Sequence, residues 1–266
     1  MLRRILHPID LSPQSLEGAK WILDSLATPR TSLLLVHVVN PEAGLETPGL
    51  VRDAEEHMGP LEEELQALHG GVSSLVLAGD DEEVLAEVAH REKCSLVAHI
   101  IHPEDDPLPL IRPIPLPHLL IPLPDDGTLP AGDLFSRMVV ATDLAPDRTD
   151  ALLESLRRVA EGRARQTVLL HAVPLDDPGA AEELVMAADE ALQAVKESLL
   201  PWGGEVTARL VSGDPNEELP AVLEDLAPSL LVLGLSRHGE MWGLLVGSTA
   251  EALIGAAKSP VLIIPA

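Results

Sequence analysis

The sequence contains no tyrosine, one phenylalanine and three tryptophans, so aromatic residues make up only 2% of it. Hydrophobic residues still account for 46%, enough for substantial cores, and those cores must be aliphatic. Cysteine is nearly absent: Cys94 alone excludes a disulfide framework within one chain and points to a reducing compartment. Basic residues are scarce, 18 against 43 acidic ones, and the formal charge of −25 repels DNA, RNA and anionic lipid at long range. No apolar run approaches the roughly 18 residues of a membrane helix. The opening MLRRILHPIDLS has a charged pair and no apolar stretch of signal-peptide length. These absences predict a cytoplasmic protein that engages neither nucleic acid nor membrane.

The usual signatures of phosphate and acyl chemistry are missing as well. There is no Gly-x-Ser-x-Gly elbow, no Walker-type Gly-Lys-Ser/Thr and no Gly-x-Gly-x-x-Gly. No nucleophile stands beside a base, so enzymatic turnover, if there is any, is expected to be slow. His90, His99, His102 and His118 crowd the first half, but their spacing matches no standard zinc pattern and no second cysteine is at hand. The sequence therefore assigns no metal ligands, and a histidine metal site in the first half stands only as a third and weaker reading.

What is present is a duplication. LRRILHPIDLSPQS returns as FSRMVVATDLAPDR, TSLLLVHVVNPE as QTVLLHAVPLDD, and SLVAHI as SLLVLG, at a near-constant offset of about 133 residues. Asp10 thereby pairs with Asp143, His37 with His171, and Gly79 with Gly213. The final block, HLLIPLP against PVLIIPA, has slipped by about eight further residues. The length of 266 residues suits two such units, 1–130 and 131–266, with Asp126 to Gly132 as the linker. Each half alternates dense β-branched and leucine runs with helical patterns. That order predicts parallel strands covered on both faces, hence two open, mostly parallel, doubly wound α/β sheets. Ligands of such sheets sit at the carboxyl ends of the strands, where the strand order reverses.

Asp10 and Asp143 each follow a first strand and precede a helix. Such an aspartate caps the helix or forms the turn, or else accepts hydrogen bonds from a ligand. His37 and His171 lie inside apolar strands and read as core residues with one ring nitrogen satisfied. The extra residues of the second half fall in GLSRHGEMWGLLVGST, from Gly234 to Thr249. Gly234 is expected to end the fourth strand, and a helix is expected from Ala250 to Ala257. The amides at that helix start can bind an anion, with Gly247 allowing close approach and Ser248 and Thr249 adding hydroxyls. The same residues also spell a capping box, Ser248-Thr249-Ala250-Glu251, which would fill the helix start without any ligand. Both readings stand on spacing alone.

Both halves resemble the universal stress protein family, and together its tandem form. The resemblance rests on the PID and ATD starts, the LLLVHVV and VLLHAV second strands, the AGD and SGDP turns, and the closing PVLIIP. It implies a five-stranded adenine nucleotide alpha hydrolase-like fold, often dimeric through the last strand, and a stress-response role as a homodimer or intrachain pseudo-dimer with an unnamed protein partner. The ATP-binding branch carries Gly-x2-Gly-x9-Gly-Ser/Thr. Gly234, Gly247 and Ser248 fall on that pattern, and Arg237 stands where the second glycine belongs. By the resemblance, Ala141 and Asp143 would meet the adenosine part and Ala172 would line the adenine pocket. Leu233 and Gly234 would lie against the nucleotide, with Gly247, Ser248 and Thr249 around its phosphates. The cofactor implied is ATP or AMP, accompanied by Mg²⁺.

Arginine at a positive φ would cost roughly 1 kcal/mol, but its guanidinium is also a strong phosphate donor. Gly239, two residues on, is the candidate for the sharp turn. The matching segment of the first half, IHPEDDPLPLIRPIPLP, has no glycine, six prolines and three acids. It is expected to run extended, leaving at most one nucleotide site per chain, in the second half. The competing reading is a nucleotide-free tandem scaffold for dimerisation or interaction.

Overall fold

The structure, a computed structural model, describes residues 2–40, 47–160, 162–174, 181–237, 244–245 and 247–265. The chain divides after Leu129 into two compact units. The first contains β1 (Arg4–Pro8), α1 (Pro13–Leu26), β2 (Ser32–Val39), α2 (Thr47–Leu68), β3 (Val72–Ala78), α3 (Asp81–Arg91), β4 (Leu96–Ile101), α4 (Leu108–Ile111) and β5 (His118–Pro122). Its strands pair in parallel in the order β3-β2-β1-β4-β5.

The second unit repeats this plan with β6 (Met138–Ala141), α5 (Pro146–Ala160), β7 (Gln166–Val173), α6 (Ala181–Leu199), β8 (Glu205–Ser212), α7 (Pro215–Leu226) and β9 (Leu230–Arg237). A two-residue strand, β10 (Leu244–Leu245), then precedes α8 (Ser248–Ala256) and β11 (Val261–Pro265). The parallel order is β8-β7-β6-β9-β11, the same as in the first unit. Each unit is thus the doubly wound α/β sheet that the alternating pattern implies. Among the described residues no helix is long and apolar enough to cross a membrane.

The first strands are well buried because both faces are covered by helices. Ile5 and Leu6 in β1, and Met138 through Val140 in β6, are almost wholly withdrawn from solvent. Local chemistry starts the helices. Ser12, Asp80 and Asp214 cap α1, α3 and α7 by accepting backbone N–H bonds. The turns after β3 and β8 need glycine: Gly79 and Gly213 sit at φ 155° and 137° and donate to the carbonyls of Val39 and Val173.

Three expectations are corrected. First, β9 does not end at Gly234 but continues to Arg237, because its pairing with β11 carries on through Gly234 and Leu235. Arg237 is therefore the last residue of a strand, where an extended backbone is the rule and not the positive φ considered for it. Gly239, proposed to take over the turn, lies outside the described residues. Second, α8 starts at Ser248 and not at Ala250, and its N-cap is Gly247 with φ −82° and ψ 161°. Third, the proline-rich segment of the first unit is not wholly extended, since it forms the single turn α4. Proline is compatible with a first helical turn, where its missing N–H would have no partner, and here it occupies that turn.

Candidate functional site

In the second unit the strand order reverses between β6 and β9, the place where an open parallel sheet leaves a crevice at the carboxyl ends of its strands. A cavity of about 440 Å³ lies there. Its walls come from the ends of β6, β7 and β9 and from the first turns of α5, α7 and α8. Seven of the nine residues singled out from the sequence line it: Ala141, Asp143, Ala172, Leu233, Gly234, Gly247 and Thr249. Ser248 is the exposed first residue of α8, and Arg237 lies three residues past Gly234 on β9.

The α8 end of the cavity is open for an anion. With Gly247 as N-cap, Ser248 and Glu251 stand one position too late for a capping box, and among the described residues no side chain caps the helix. The first intrahelical bond at this end runs from Glu251 N to the Gly247 carbonyl at 3.0 Å, so the amides of Ser248, Thr249 and Ala250 precede the helical ladder. The partial positive charge of the helix start acts on the same space. A Cβ built on Gly247 would meet nothing within 4 Å among the described residues. Thr249 donates its hydroxyl to Asn216 Oδ1 at 2.8 Å, which ties the starts of α7 and α8 together beside the cavity.

The opposite side is polar too. Asp143 Oδ1 accepts the Ala145 amide at 3.0 Å, the turn-forming role considered for it. Its Oδ2 is held by Arg148, with Nε at 2.8 Å and Nη2 at 2.5 Å. Leu144, between these anchors, has φ 59°, unusual for leucine, and Leu11 repeats it at 67° after Asp10. Thr142 and Thr149 pair through their hydroxyls at 3.0 Å. His171, read from the sequence as a core residue, is half-buried and lines the cavity, with Nδ1 donating to the Thr142 carbonyl at 2.7 Å. Leu152, Leu219, Leu233, Leu235 and Leu253 supply apolar wall.

Sequence reasoning missed Thr142, Arg148, Thr149 and the cavity-facing place of His171. One signal was available for Arg148. The two halves align Asp10 with Asp143, and at the fifth residue onward one has Ser15 and the other Arg148.

In the first unit bulkier side chains stand at equivalent positions. Ile100 takes the place of Gly234, and its Cγ1 and Cδ1 stand against Gly18 of α1, each 2.6 Å from where a Cβ would be. Three buried histidines replace Val140, Leu233 and Val261 of the second unit. His7 Nδ1 donates to the Ala98 carbonyl at 2.9 Å, His118 Nε2 to the Ile114 carbonyl at 2.9 Å, and His99 Nε2 to His118 Nδ1 at 3.1 Å. Burial lowers the pKa of His7 and brings His118 to about 4; His99 lies well below its ordinary value, through burial first and then the neighbouring His118 and His7. His90 is exposed on α3. Among the described residues no group of three or more His, Cys, Asp or Glu side chains is arranged to hold a metal ion. Cys94 is buried, and its thiol is pushed up to about 11 by that burial, which makes it a poor nucleophile.

The sequence pattern of the Universal stress protein family matches residues 1–104 and 134–265, one match in each unit. The chain belongs to the universal stress protein family. A universal stress protein of Methanocaldococcus jannaschii is 32% identical over 75 residues, which cover 28% of this chain and 44% of that protein. This chain therefore spans less than half of the curated relative it matches. Among solved structures, a universal stress protein from Archaeoglobus fulgidus superposes with a TM-score of 0.71 at 19% identity, covering 100% of this chain and 99% of that one. A protein of unknown function from Pseudomonas aeruginosa gives 0.66 at 19% identity, covering 99% and 92%. At such identities these two structures establish the shared tandem fold.

Proposed function

We propose that the second unit binds an adenine nucleotide, ATP or AMP, and that this stress-family protein works in the cytoplasm as a nucleotide-responsive binding or switch protein with slow hydrolysis at most. The observation that carries the reading is the α8 start. Gly247 supplies no cap, and the first amides of the helix stand beside a cavity at the sheet's switch point. The volume suits a nucleotide-sized ligand, because ligand pockets span roughly 300–1,000 Å³.

The lining fits the two chemistries of such a ligand. Ala172, Leu233 and Ala141 offer apolar contact to a base, and Gly247 and Thr249 offer amides and a hydroxyl to phosphates. Gly234 keeps open the ground that Ile100 occupies in the first unit, so one site per chain is expected. A nucleotide would bring its own negative charge, and Mg²⁺ would accompany ATP on the phosphates.

The test is nucleotide release from freshly purified, denatured protein, followed by melting in excess ATP, AMP or GTP. A ligand bound to the folded state alone stabilises it by about 2.7 kcal/mol at a hundredfold excess over Kd. Released adenine nucleotide, or a melting rise with ATP or AMP, supports the reading. No release and unchanged melting would leave the nucleotide-free scaffold.

A further inference from the structure

We infer that Arg148, oriented by Asp143, is the side chain by which the second unit's cavity recognises the negative charge of its ligand, in addition to the helix start at Gly247. This rests on the nucleotide reading above and deepens it. Arg148 belongs to the first turn of α5 and lines the cavity, on the α5 side and not the α8 side. Among the described residues its guanidinium contacts one carboxylate oxygen, Oδ2 of Asp143, through Nε and Nη2. That uses two of the five N–H donors of a guanidinium and fixes the plane of the group, leaving the remaining edge for an acceptor.

Asp143 is at the same time withdrawn from direct duty. Oδ1 carries the Ala145 amide and Oδ2 carries Arg148, so both oxygens are engaged. A bare carboxylate in this cavity would repel a phosphate; a carboxylate covered by guanidinium does not. On a chain with a formal charge of −25, a neutralised carboxylate with guanidinium N–H groups beside it repels an approaching anion less than a bare carboxylate would.

The duplication supplies an internal control. In the first unit the same aspartate, Asp10, is met by the hydroxyl of Ser15 at the position of Arg148. That unit is also the one in which Ile100 occupies the place of Gly234. The cation is thus present in the half that keeps the cavity, and a neutral hydroxyl serves the turn in the half with the bulkier side chain. The turn itself needs no arginine, because Asp10 forms it with the Ser12 amide at 2.9 Å, as Asp143 does with Ala145.

The experiment compares adenosine, AMP and ATP by calorimetric titration at low salt on the native chain, Arg148→Gln, Arg148→Lys and Asp143→Asn. Arg148→Gln is expected to weaken AMP and ATP about tenfold and to leave adenosine within about twofold. Arg148→Lys recovers part of the loss. Asp143→Asn, which loosens the guanidinium, falls between. Added salt weakens AMP more in the native chain than in Arg148→Gln. Urea unfolding of each variant separates loss of recognition from loss of fold, and Arg148→Lys retains the charge if the glutamine variant unfolds early.

Native binding of AMP with an unchanged AMP-to-adenosine ratio in Arg148→Gln overturns this inference and leaves the nucleotide reading standing. Equal weakening of both ligands, or tighter AMP binding, overturns it as well. Absence of binding of all three ligands to the native chain overturns both.

Discussion

His171 donates its Nδ1 proton to the main-chain carbonyl of Thr142 at 2.7 Å, and His37 makes the same bond to the Ile9 carbonyl, also at 2.7 Å. A carbonyl can only accept, so the proton sits on Nδ1 in both rings. The bond ties the second strand of each unit to the residue just before the aspartate turn. Replacing His171 by phenylalanine removes the donor and keeps the bulk. The expected cost is about 1 kcal/mol, the net worth of an ordinary hydrogen bond. Urea unfolding of His171→Phe measures it, and His37→Phe should match it. A change of under a tenth of that cost in both would show that the imidazoles do not hold these turns.

The scaffold was legible because it was written twice. Strand and helix order, the two aspartate turns and the two glycine turns at Gly79 and Gly213 all follow from repeated local patterns, and local patterns are what a sequence displays. The start of α8 was less legible, since Ser248-Thr249-Ala250-Glu251 satisfies the capping-box spacing, and only the backbone at Gly247 shows the box displaced by one residue. Arg148 looked like any charged residue on a helix, because its pairing with Asp143 depends on how the turn at Leu144 folds. Ile100 read as one more apolar strand residue. Its meaning lies in Gly18, about eighty residues earlier, which no periodicity connects to it.

Gly247 gives a clean separation of folding from binding. Its φ of −82° is open to any residue, and a Cβ there meets nothing within 4 Å among the described residues. Gly247→Leu should therefore fold, at a cost of about 1 kcal/mol or less from the poorer N-cap. The side chain would stand over the first amides of α8 and exclude a phosphate. Retained urea stability with loss of the ATP-induced rise in melting temperature is the expected outcome. An unchanged rise would place the phosphates elsewhere.

Gly18 and Ile100 form a complementary pair in the first unit. A Cβ on Gly18 would fall 2.6 Å from Cγ1 and Cδ1 of Ile100, closer than real contacts allow. Gly18→Ala is expected to destabilise by about 1–3 kcal/mol, the usual range for overpacking a core. Ile100→Val in the same chain removes Cδ1 and should return part of that cost, so the double mutant is more stable than the sum of its parts. Additive effects in a double-mutant cycle would mean that the glycine is needed for another reason.

The buried histidines of the first unit give it an acid limit that the second unit does not share in this form. His7, His99 and His118 are neutral in the fold: burial is the main cause for each, Asp10 acts on His7, and His118 and His7 act on His99. Unfolded, each takes a proton near pH 6.5. Their folded values lie lower, so the unfolded chain binds protons first as pH falls. The stability that depends on neutral imidazoles is complete above about 6.5, declines as pH drops below it, and for His118 is lost by about 4. That single residue corresponds to about 3 kcal/mol across the window. Urea unfolding at pH 7 and at pH 4.5 should show the first unit weakening more than the second. His99→Leu, which installs the residue found at the matching position, Leu233, should flatten the decline, because it removes one protonation site and the partner of His118. A native chain whose two units lose stability in parallel between these pH values would show that the buried imidazoles are not what sets the acid limit.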